Sequence, residues 1–220
     1  MVAAVVFDMD GVLVDTEHVW DEVREQLTAD WGGRYTPDAQ RAMMGMSSPE
    51  WSRYMHEVVG LPQSPEEINA EVVRRLLERY RAELPIVPGA VRAVRALGAA
   101  GLVLAVASSS NRPLIDAVLE SAGIADAFAA TVSSEEVALG KPAPDVYLEA
   151  ARRLGVDPSA CVAIEDSSNG LRAAHAAGMG VIAYPNRLYP PAEDALALAA
   201  ATLDRMDELA AAVERLRSAG

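Results

Sequence analysis

Five short apolar runs recur along the chain and predict the strands of a single sheet. Segments with the periodicity of helices separate the runs, and this alternation is typical of right-handed βαβ units and a parallel sheet. Strands inside such a sheet are buried on both faces, so they are continuously apolar rather than alternating. The runs cover residues 2–7, 102–107, 128–132, 161–164 and 180–184.

The helices predicted between these runs carry recognisable end signals. Proline is favoured in the first turn of a helix, and glycine is favoured just past its last turn. An alanine-rich segment at 206–217 has its charges on one face and predicts a helix docked on the sheet. The signals are Pro88-Gly89 before one helix, Gly123 after the helix 111–122, and Gly155 after the helix 144–154.

The stretch 16–87 differs from the rest of the chain, because it contains helical patterns and no convincing strand. Its predicted helices are separated by breaks at 31–33 and 60–62. We therefore predict an α/β fold with a parallel sheet, helices on both faces, and a small all-α domain inserted after the first strand. The predicted helices of the insertion are 17–30, 38–43, 49–59 and 65–83.

The first apolar run ends on two aspartates, Asp8 and Asp10, which are followed by Gly11. Side chains two residues apart in an extended chain point the same way, so both carboxylates can face one point beyond the strand. Their mutual repulsion would be relieved by a divalent cation, or by one carboxyl that keeps its proton. An isolated Asp-x-Asp is more often a solvated turn, so the motif needs support from elsewhere.

Three further segments place polar groups in the same local context. The run 102–107 is followed by three serines and an asparagine, and the run 161–164 is followed by Glu165-Asp166-Ser167. Between them, Lys141 lies in a loop that its flanking glycine and prolines keep from forming a regular helix. Singly, these features are typical of a helix cap, a turn and a solvated lysine. Together they predict one site, because parallel strands end on the same side of a sheet, where ligands bind.

These segments, in this order, resemble the four signature segments of the haloacid dehalogenase-like superfamily. They are DMDGVLVDTE at 8–17, Ser108, Gly140-Lys141-Pro142 and Glu165-Asp166-Ser167. The resemblance runs from Val2 to Asp207 and is closest to the branch with a helical cap that holds β-phosphoglucomutase, sugar-phosphate phosphatases and phosphoglycolate phosphatases. It implies a Rossmann-like catalytic core of 1–15 and 88–220 and a helical cap domain of 16–87.

The resemblance also implies how the carboxylates act. Asp8 would attack phosphorus and form an aspartyl phosphate, while Asp10 would serve as the acid and the base. Mg²⁺ is the expected cofactor, because it takes hard oxygen ligands and tolerates bound water and phosphate oxygens. Its implied ligands are Asp8, the main-chain carbonyl of Asp10, and Asp166. Glu165 would act on the metal through water or through another ligand.

The remaining motif residues are expected to hold the phosphoryl group. Lys141 would supply a fixed positive charge near the transferring oxygens, and it is counted with Ser108 among the catalytic residues. The hydroxyl of Ser108 and the N–H of Ser109 would bind the same phosphoryl group.

The cap is expected to select the substrate. The core supplies an apparatus that serves any phosphomonoester, so discrimination among leaving groups must come from the surfaces that close over them. The candidate residues are Thr16, Glu17, Trp20, Met46, Ser47, Ser48 and Arg75, with the loop 44–48 as a whole.

Two departures from the β-phosphoglucomutase pattern bear on the reaction. The mutase carries a histidine four residues past the threonine, where this chain has Trp20, with His18 two residues earlier. An arginine that grips a second phosphate in the mutase corresponds here to Ser48, after Gly45. We therefore predict a phosphatase of a small phosphorylated metabolite, with a phosphosugar mutase as the alternative. A non-catalytic relative is the third hypothesis, and all the motif residues argue against it.

Composition limits the partners. The chain has 220 residues, 19 of them basic and 32 acidic, and its net charge of -13 argues against a nucleic-acid ligand. Cys161 is the only cysteine, so we expect no disulfide framework. The first apolar run is too short and too acidic for a signal peptide, and no later run approaches a membrane span. We expect a cytoplasmic protein without membrane contact, and a monomer, although the oligomeric state stays open.

Overall fold

The structure is a computed structural model that describes residues 2–44 and 46–219, and it confirms the predicted α/β class. Six strands form one sheet, and every pair of neighbours runs parallel. They are β1 (Ala4–Phe7), β2 (Val103–Ser108), β3 (Ala130–Ser133), β4 (Cys161–Glu165), β5 (Gly180–Ala183) and β6 (Ala201–Thr202). Their spatial order is β3-β2-β1-β4-β5-β6, so β1 lies at the centre, between β2 and β4.

The register of the three central strands brings their carboxyl ends level. Phe7, at the end of β1, pairs with Val106 of β2 and Ile164 of β4. The main-chain N–H of Asp8 continues the ladder by donating to the Ile164 carbonyl at 3.0 Å. Consequently, Asp8 and Glu165 lie level with each other at the carboxyl edge of the sheet.

Helices cover both faces of the sheet. Successive side chains of a strand point to opposite faces, so Val5 and Phe7 join one apolar core while Ala4 and Val6 join the other. The helices on the two faces are α5 (Ala90–Ala99), α6 (Arg112–Ser121), α7 (Asp145–Leu154), α8 (Ser168–Ala176), α9 (Glu193–Leu196) and α10 (Leu209–Ala219). Residues of α5, α6 and α10 belong to the first core, and residues of α7, α8 and α9 belong to the second.

The first four of the helices between β1 and β2 form an all-α unit, and we call them the cap helices. They are α1 (Glu17–Trp31), α2 (Pro37–Met43), α3 (Ser48–Tyr54) and α4 (Pro65–Ala82). At the start of α4, Ser64 and Glu67 form a reciprocal capping box, which satisfies N–H groups that have no partner within the helix. None of the described helices is long and apolar enough to cross a membrane.

The two connections between the cap helices and the sheet run side by side. Val14 and Ile86 form an antiparallel bridge. The N–H of Asp15 donates to the Pro85 carbonyl at 2.8 Å, and the N–H of Val87 donates to the Leu13 carbonyl at 3.0 Å. The insertion therefore enters and leaves the core at a single point.

One predicted helix differs from the structure in detail, and one strand of the sheet was not predicted. The segment predicted as one helix at 49–59 is α3 followed by a π-helical turn, Met55–Val59, which ends at Gly60 with φ 87°. β6 was not predicted, because a two-residue edge strand is too short to show any periodicity. Other predicted elements are present, with ends shifted by a few residues.

Candidate active site

Three carboxylates meet where β1 and β4 end. Asp8 follows the last residue of β1, Glu165 is the last residue of β4, and Asp166 follows it. Each offers an oxygen that lies within 4.8 Å of the others, and all three side chains are buried. Buried carboxylates repel strongly unless a cation balances them, so this cluster is a site for positive charge.

Lys141 supplies part of that charge. Its Nζ donates to Asp8 Oδ1 at 2.8 Å, to Glu165 Oε1 at 2.6 Å and to the Ala107 carbonyl at 3.1 Å. These contacts use all three of its N–H donors. Burial alone would lower the pKa of Lys141, but the carboxylates of Asp8 and Glu165 raise it above its ordinary value. The lysine is therefore a permanent cation held beside Asp8.

Glu165 is the side chain that orients this cluster. Its Oε1 accepts from Lys141 and also from the hydroxyl of Tyr147 at 2.8 Å, and its Oε2 accepts from the N–H of Asp166 at 3.0 Å and from the N–H and hydroxyl of Ser167. A Cβ at Gly170 would lie 1.8 Å from this carboxylate, so only glycine leaves room for it. Both oxygens of Glu165 are occupied, which leaves Asp8 and Asp166 as the carboxylates with vacant lone pairs.

The residues present fit a divalent cation. Three carboxylates and one ammonium leave two excess negative charges, which one divalent cation would balance. Burial is the main reason that the pKa of Asp8 is raised to about 8 and that the pKa of Asp166 lies well above its ordinary value. A cation bound at these carboxylates would favour their charged forms. An all-oxygen donor set suits Mg²⁺.

Gly11 leaves room for the side chain of Asp166. The residue has φ 82°, a conformation that favours glycine, and a Cβ there would lie 2.0 Å from Asp166 Oδ2. The loop that carries Asp10 can therefore pass directly over the Asp166 carboxylate.

Asp10 is held differently from Asp8. Its Oδ1 accepts a short hydrogen bond from the Thr16 hydroxyl, and its Oδ2 accepts from the Ser110 hydroxyl at 2.7 Å. The carboxylate is half-buried and lines the cavity described below. Two hydroxyl donors thus fix its orientation without neutralising its charge, which suits a group that gives and takes a proton.

The three serines at the end of β2 divide between the cavity wall and the layer behind it. Ser109 and Ser110 line the cavity. Ser108 is fully buried, and its hydroxyl accepts from the N–H of Ser110 at 3.0 Å. The structure therefore brings Ser109 to the cavity as expected, whereas Ser108 contacts the turn that positions Ser110.

A cavity of about 410 Å³ lies between these residues and the cap helices. Volumes of this order are typical of small-molecule sites. Glu17, Trp20 and Met46 line it, as expected of the cap candidates. Burial, followed by the charge of Asp10, raises the pKa of Glu17 to about 7.

The other cap candidates lie elsewhere. Thr16 contacts Asp10 but is fully buried, and Ser47 caps α3 in a reciprocal box with Glu50. Ser48 donates to Asn111 Oδ1 in the core at 2.9 Å. Arg75 pairs with Asp30 at 2.7 Å and with Glu71 at 2.8 Å, so the structure does not bring it to the cavity. Gly45, in the predicted 44–48 loop, lies outside the described residues.

Several residues of the cavity were not anticipated from the sequence. Trp20 and Trp51 pack edge to face with ring centroids 5.8 Å apart, and the guanidinium of Arg24 lies 4.7 Å and 4.9 Å from the two ring centroids. The spacing of Glu17, Trp20 and Arg24 along one face of α1 is the signal that could have identified Arg24. The remaining unanticipated lining residues are Arg41, Ser168, Asn169, Asn186, Tyr189 and Pro190.

Comparisons with known proteins agree with this geometry. Residues 2–178 match the family model described as haloacid dehalogenase-like hydrolase. The chain is 35% identical over 189 residues to hexitol phosphatase B of Escherichia coli (strain K12), covering 84% of each protein. It is 36% identical over 189 residues to a probable pseudouridine-5'-phosphatase of Drosophila melanogaster, covering 82% of this chain and 80% of the relative. The crystal structure of CbbY from Rhodobacter sphaeroides in complex with phosphate superposes with a TM-score of 0.86 at 30% identity, over 95% of this chain and 96% of that one.

Proposed function

Because the chain belongs to the haloacid dehalogenase-like hydrolases and is a phosphoric monoester hydrolase of that family, we propose that it is a Mg²⁺-dependent phosphatase that works through an aspartyl phosphate. The observation that carries this proposal is the contact of Lys141 with Asp8 beside Asp166 at the base of the cavity. The substrate is a small phosphorylated metabolite of the sugar-phosphate type. In this proposal, 16–87 is a cap domain over a core of 1–15 and 88–220.

Asp8 is the nucleophile. Lys141 donates to its Oδ1, which fixes the carboxylate at the carboxyl edge of the sheet and favours its charged form. An oxygen of Asp8 forms a bond to phosphorus while the bond between phosphorus and the leaving oxygen breaks. Mg²⁺, held by Asp8, the main-chain carbonyl of Asp10, and Asp166, would supply positive charge that offsets the phosphoryl oxygens.

Asp10 moves the protons. It gives a proton to the leaving oxygen in the first step and takes one from the attacking water in the second, when the bond between Asp8 and phosphorus breaks. Thr16 and Ser110 hold its two oxygens, so the carboxyl group keeps one orientation through both steps. Ser109 would bind the phosphoryl oxygens, and Lys141, whose N–H donors are held by Asp8, Glu165 and Ala107, would act on those oxygens through its charge.

Hydrolysis is favoured over phosphosugar transfer by the wall of the cavity. Trp20 stands where the mutase pattern has a histidine, and His18 is exposed on α1. No histidine lines the described cavity. A mutase would release an isomeric sugar phosphate instead of free phosphate, so analysis of the products separates the two reactions.

The proposal is tested with p-nitrophenyl phosphate and acetyl phosphate. We expect phosphate release that requires Mg²⁺ and stops when the metal is chelated. Equal rates with chelator and with added Mg²⁺ would contradict the metal assignment. Asp10→Asn should slow poor leaving groups most, since a good leaving group needs little protonation. A uniform loss across leaving groups would remove the acid role of Asp10.

A further inference from the structure

Arg24 is a buried cation in the cap half of the cavity. The residue is 7% exposed and lines the cavity, and its guanidinium stacks against Trp20 and Trp51. Its Nε is buried without a hydrogen-bond partner among the described residues. Burial lowers its pKa from the ordinary value, while Tyr35, Glu17 and other acidic groups oppose that effect.

The two tryptophan rings do not complete the environment of this arginine. Ring faces attract the cation and offset part of its desolvation, but they satisfy none of its N–H donors. The neighbouring Asp21 carboxylate accepts instead from the Tyr35 hydroxyl at 2.7 Å. A buried guanidinium with open donors matches the two oxygens of a carboxylate or a phosphate better than any other partner.

The position of Arg24 along α1 indicates which part of a substrate it reaches. Glu17, whose pKa is raised partly by the charge of Asp10, stands near the catalytic end of the cavity. The main chain of Arg24 follows two helical turns later, roughly 10 Å further along the axis, and its guanidinium lies against the rings of Trp20 and Trp51 in the cap wall. An anion bound there belongs to the far end of the leaving group and not to the reacting phosphate.

The distribution of charge in the cavity also favours an anion at Arg24. The catalytic end combines Asp8, Asp10 and Asp166 with Lys141, and it needs a cation to be balanced. The cap helices contribute Arg24 and Arg41 to the lining of the cavity, against the single carboxylate of Glu17. Arg41 pairs with Asp38 at an exposed position, which leaves Arg24 as the enclosed cation at that end.

We infer that Arg24 binds an oxyanion at the far end of the leaving group. The preferred substrates are then phosphomonoesters of several carbons that carry a second acidic group, either a carboxylate or a second phosphate. This inference rests on the proposed phosphatase function and deepens it.

The test uses three six-carbon substrates that differ at the far end. Hexitol 6-phosphate ends in a neutral hydroxyl, 6-phosphogluconate ends in a carboxylate, and hexose 1,6-bisphosphate ends in a phosphate. With the Mg²⁺-loaded protein, we expect kcat/KM for at least one of the two acidic substrates to exceed that of the hexitol phosphate tenfold or more. The one that gains identifies the oxyanion. An equal or higher value for the neutral substrate would overturn the inference, whether or not any variant folds.

Variants then assign the preference to Arg24. Arg24→Met keeps the length of the side chain without its charge, and Arg24→Lys keeps the charge without the planar fork. We expect Arg24→Met to raise KM for the acidic substrate by 10- to 100-fold, to leave kcat for that substrate within about threefold, and to change kcat/KM for p-nitrophenyl phosphate much less than kcat/KM for the acidic substrate. Arg24→Lys should recover part of the loss. The matched control is Arg79→Met, because Arg79 is a cap arginine paired with Glu22 outside the cavity.

The outcomes separate this inference from the proposed function. A common loss on all substrates in Arg24→Met, with p-nitrophenyl phosphate included, would mean that the arginine only supports the tryptophans, and the inference would fail. Absence of Mg²⁺-dependent hydrolysis of p-nitrophenyl phosphate by the unmodified protein would instead sink the phosphatase itself. Hydrolysis without any preference for acidic substrates would leave the phosphatase standing and remove only the role of Arg24.

Discussion

The two halves of the cavity are built on different principles. At the catalytic end, Asp8, Lys141 and Glu165 are tied by direct hydrogen bonds to one another and to the main chain. At the cap end, Trp20 and Trp51 are positioned by packing, and the guanidinium between them makes ring contacts. Hydrogen bonds fix distance and angle closely, whereas packed rings tolerate replacement by side chains of similar volume.

This difference indicates where change can be tolerated. Chemistry at phosphorus requires particular groups at particular distances, so the catalytic end has little freedom in residue type. Recognition of a leaving group requires a complementary wall, which many combinations of side chains can provide. We therefore expect substitutions at the catalytic end to affect all substrates alike and substitutions at the cap end to affect them unequally.

Asp8→Asn should have the largest effect, because it removes the proposed nucleophile, which would act on every substrate. We expect kcat/KM to fall by about 10⁴-fold or more for all substrates, with no covalent phosphate trapped after acid quench. The control is Asp15→Asn, which changes an exposed aspartate in the same segment. An Asp8→Asn protein that keeps substantial turnover would show that the catalytic end works without this carboxylate.

Gly170→Ala tests how rigid the catalytic end is. The new methyl group would overlap the Glu165 carboxylate and displace the partner of Lys141. We expect activity to fall on the order of 100-fold and the free energy of unfolding to fall by about 1–3 kcal/mol. Gly98→Ala is the matched control, since its Cβ would meet only Leu104 at 4.0 Å, and it should stabilise the protein by about 0.5–1 kcal/mol. Equal behaviour of the two variants would mean that Glu165 can move without consequence.

Trp20→Phe tests the tolerance of the cap end. The smaller ring keeps an aromatic contact with Trp51 but changes the wall of the cavity. We expect relative efficiencies among sugar phosphates to change severalfold, while acetyl phosphate, which needs little cap contact, is hydrolysed at nearly the original rate. Trp31→Phe, at the far end of α1 and outside the cavity, is the control. A uniform loss that includes acetyl phosphate, with a lowered melting temperature, would make Trp20 purely structural.

Ser48→Ala tests one of the hydrogen bonds between the cap helices and the core. The change leaves Asn111 Oδ1 in the core without its donor from the cap. We expect a loss of about 1 kcal/mol in the free energy of unfolding and a modest rise in KM for sugar phosphates. Ser52→Ala, a buried serine of the same helix whose hydroxyl is 3.5 Å from its nearest acceptor, should change both quantities less. Indistinguishable results for the two variants would remove Ser48 as a link between cap and core.

The last test of the cap end concerns the pH dependence of stability at Glu17. Its pKa is raised from 4.5 to about 7 in the folded protein, so the folded state binds the proton more tightly than the unfolded state. The resulting stability is present below pH 4.5 and is lost as the pH rises through 7. Glu17→Gln should therefore gain stability relative to the unmodified protein between pH 5 and pH 8, measured by denaturant unfolding with chelator present. Glu25→Gln, which changes an exposed glutamate of the same helix, is the matched control. Parallel stability curves for Glu17→Gln and the unmodified protein would contradict the shifted pKa.

The catalytic end could be predicted from sequence because its determinants are local. Apolar runs identify the strands, and their carboxyl ends meet in a parallel sheet, so Asp8, Lys141 and Asp166 could be grouped without coordinates. The cap end depends on how four helices pack, which single-residue patterns do not record. Arg24 has an ordinary surface side chain by type, and only its place between two tryptophans makes it part of the cavity. Likewise, Arg75 was expected at the cavity but pairs within the cap helices.

The short connection between core and cap has a mechanical consequence. Thr16 is the last residue before α1, and its hydroxyl also holds Asp10. The linkers paired at Val14 and Ile86 are the point about which the cap helices could turn, and Thr16 lies just beyond that point. With Asp10 as the proposed acid and base, a swing of the cap helices would displace the hydroxyl that orients it, and a substrate too large for the cavity would then be disfavoured at the chemical step as well as at binding.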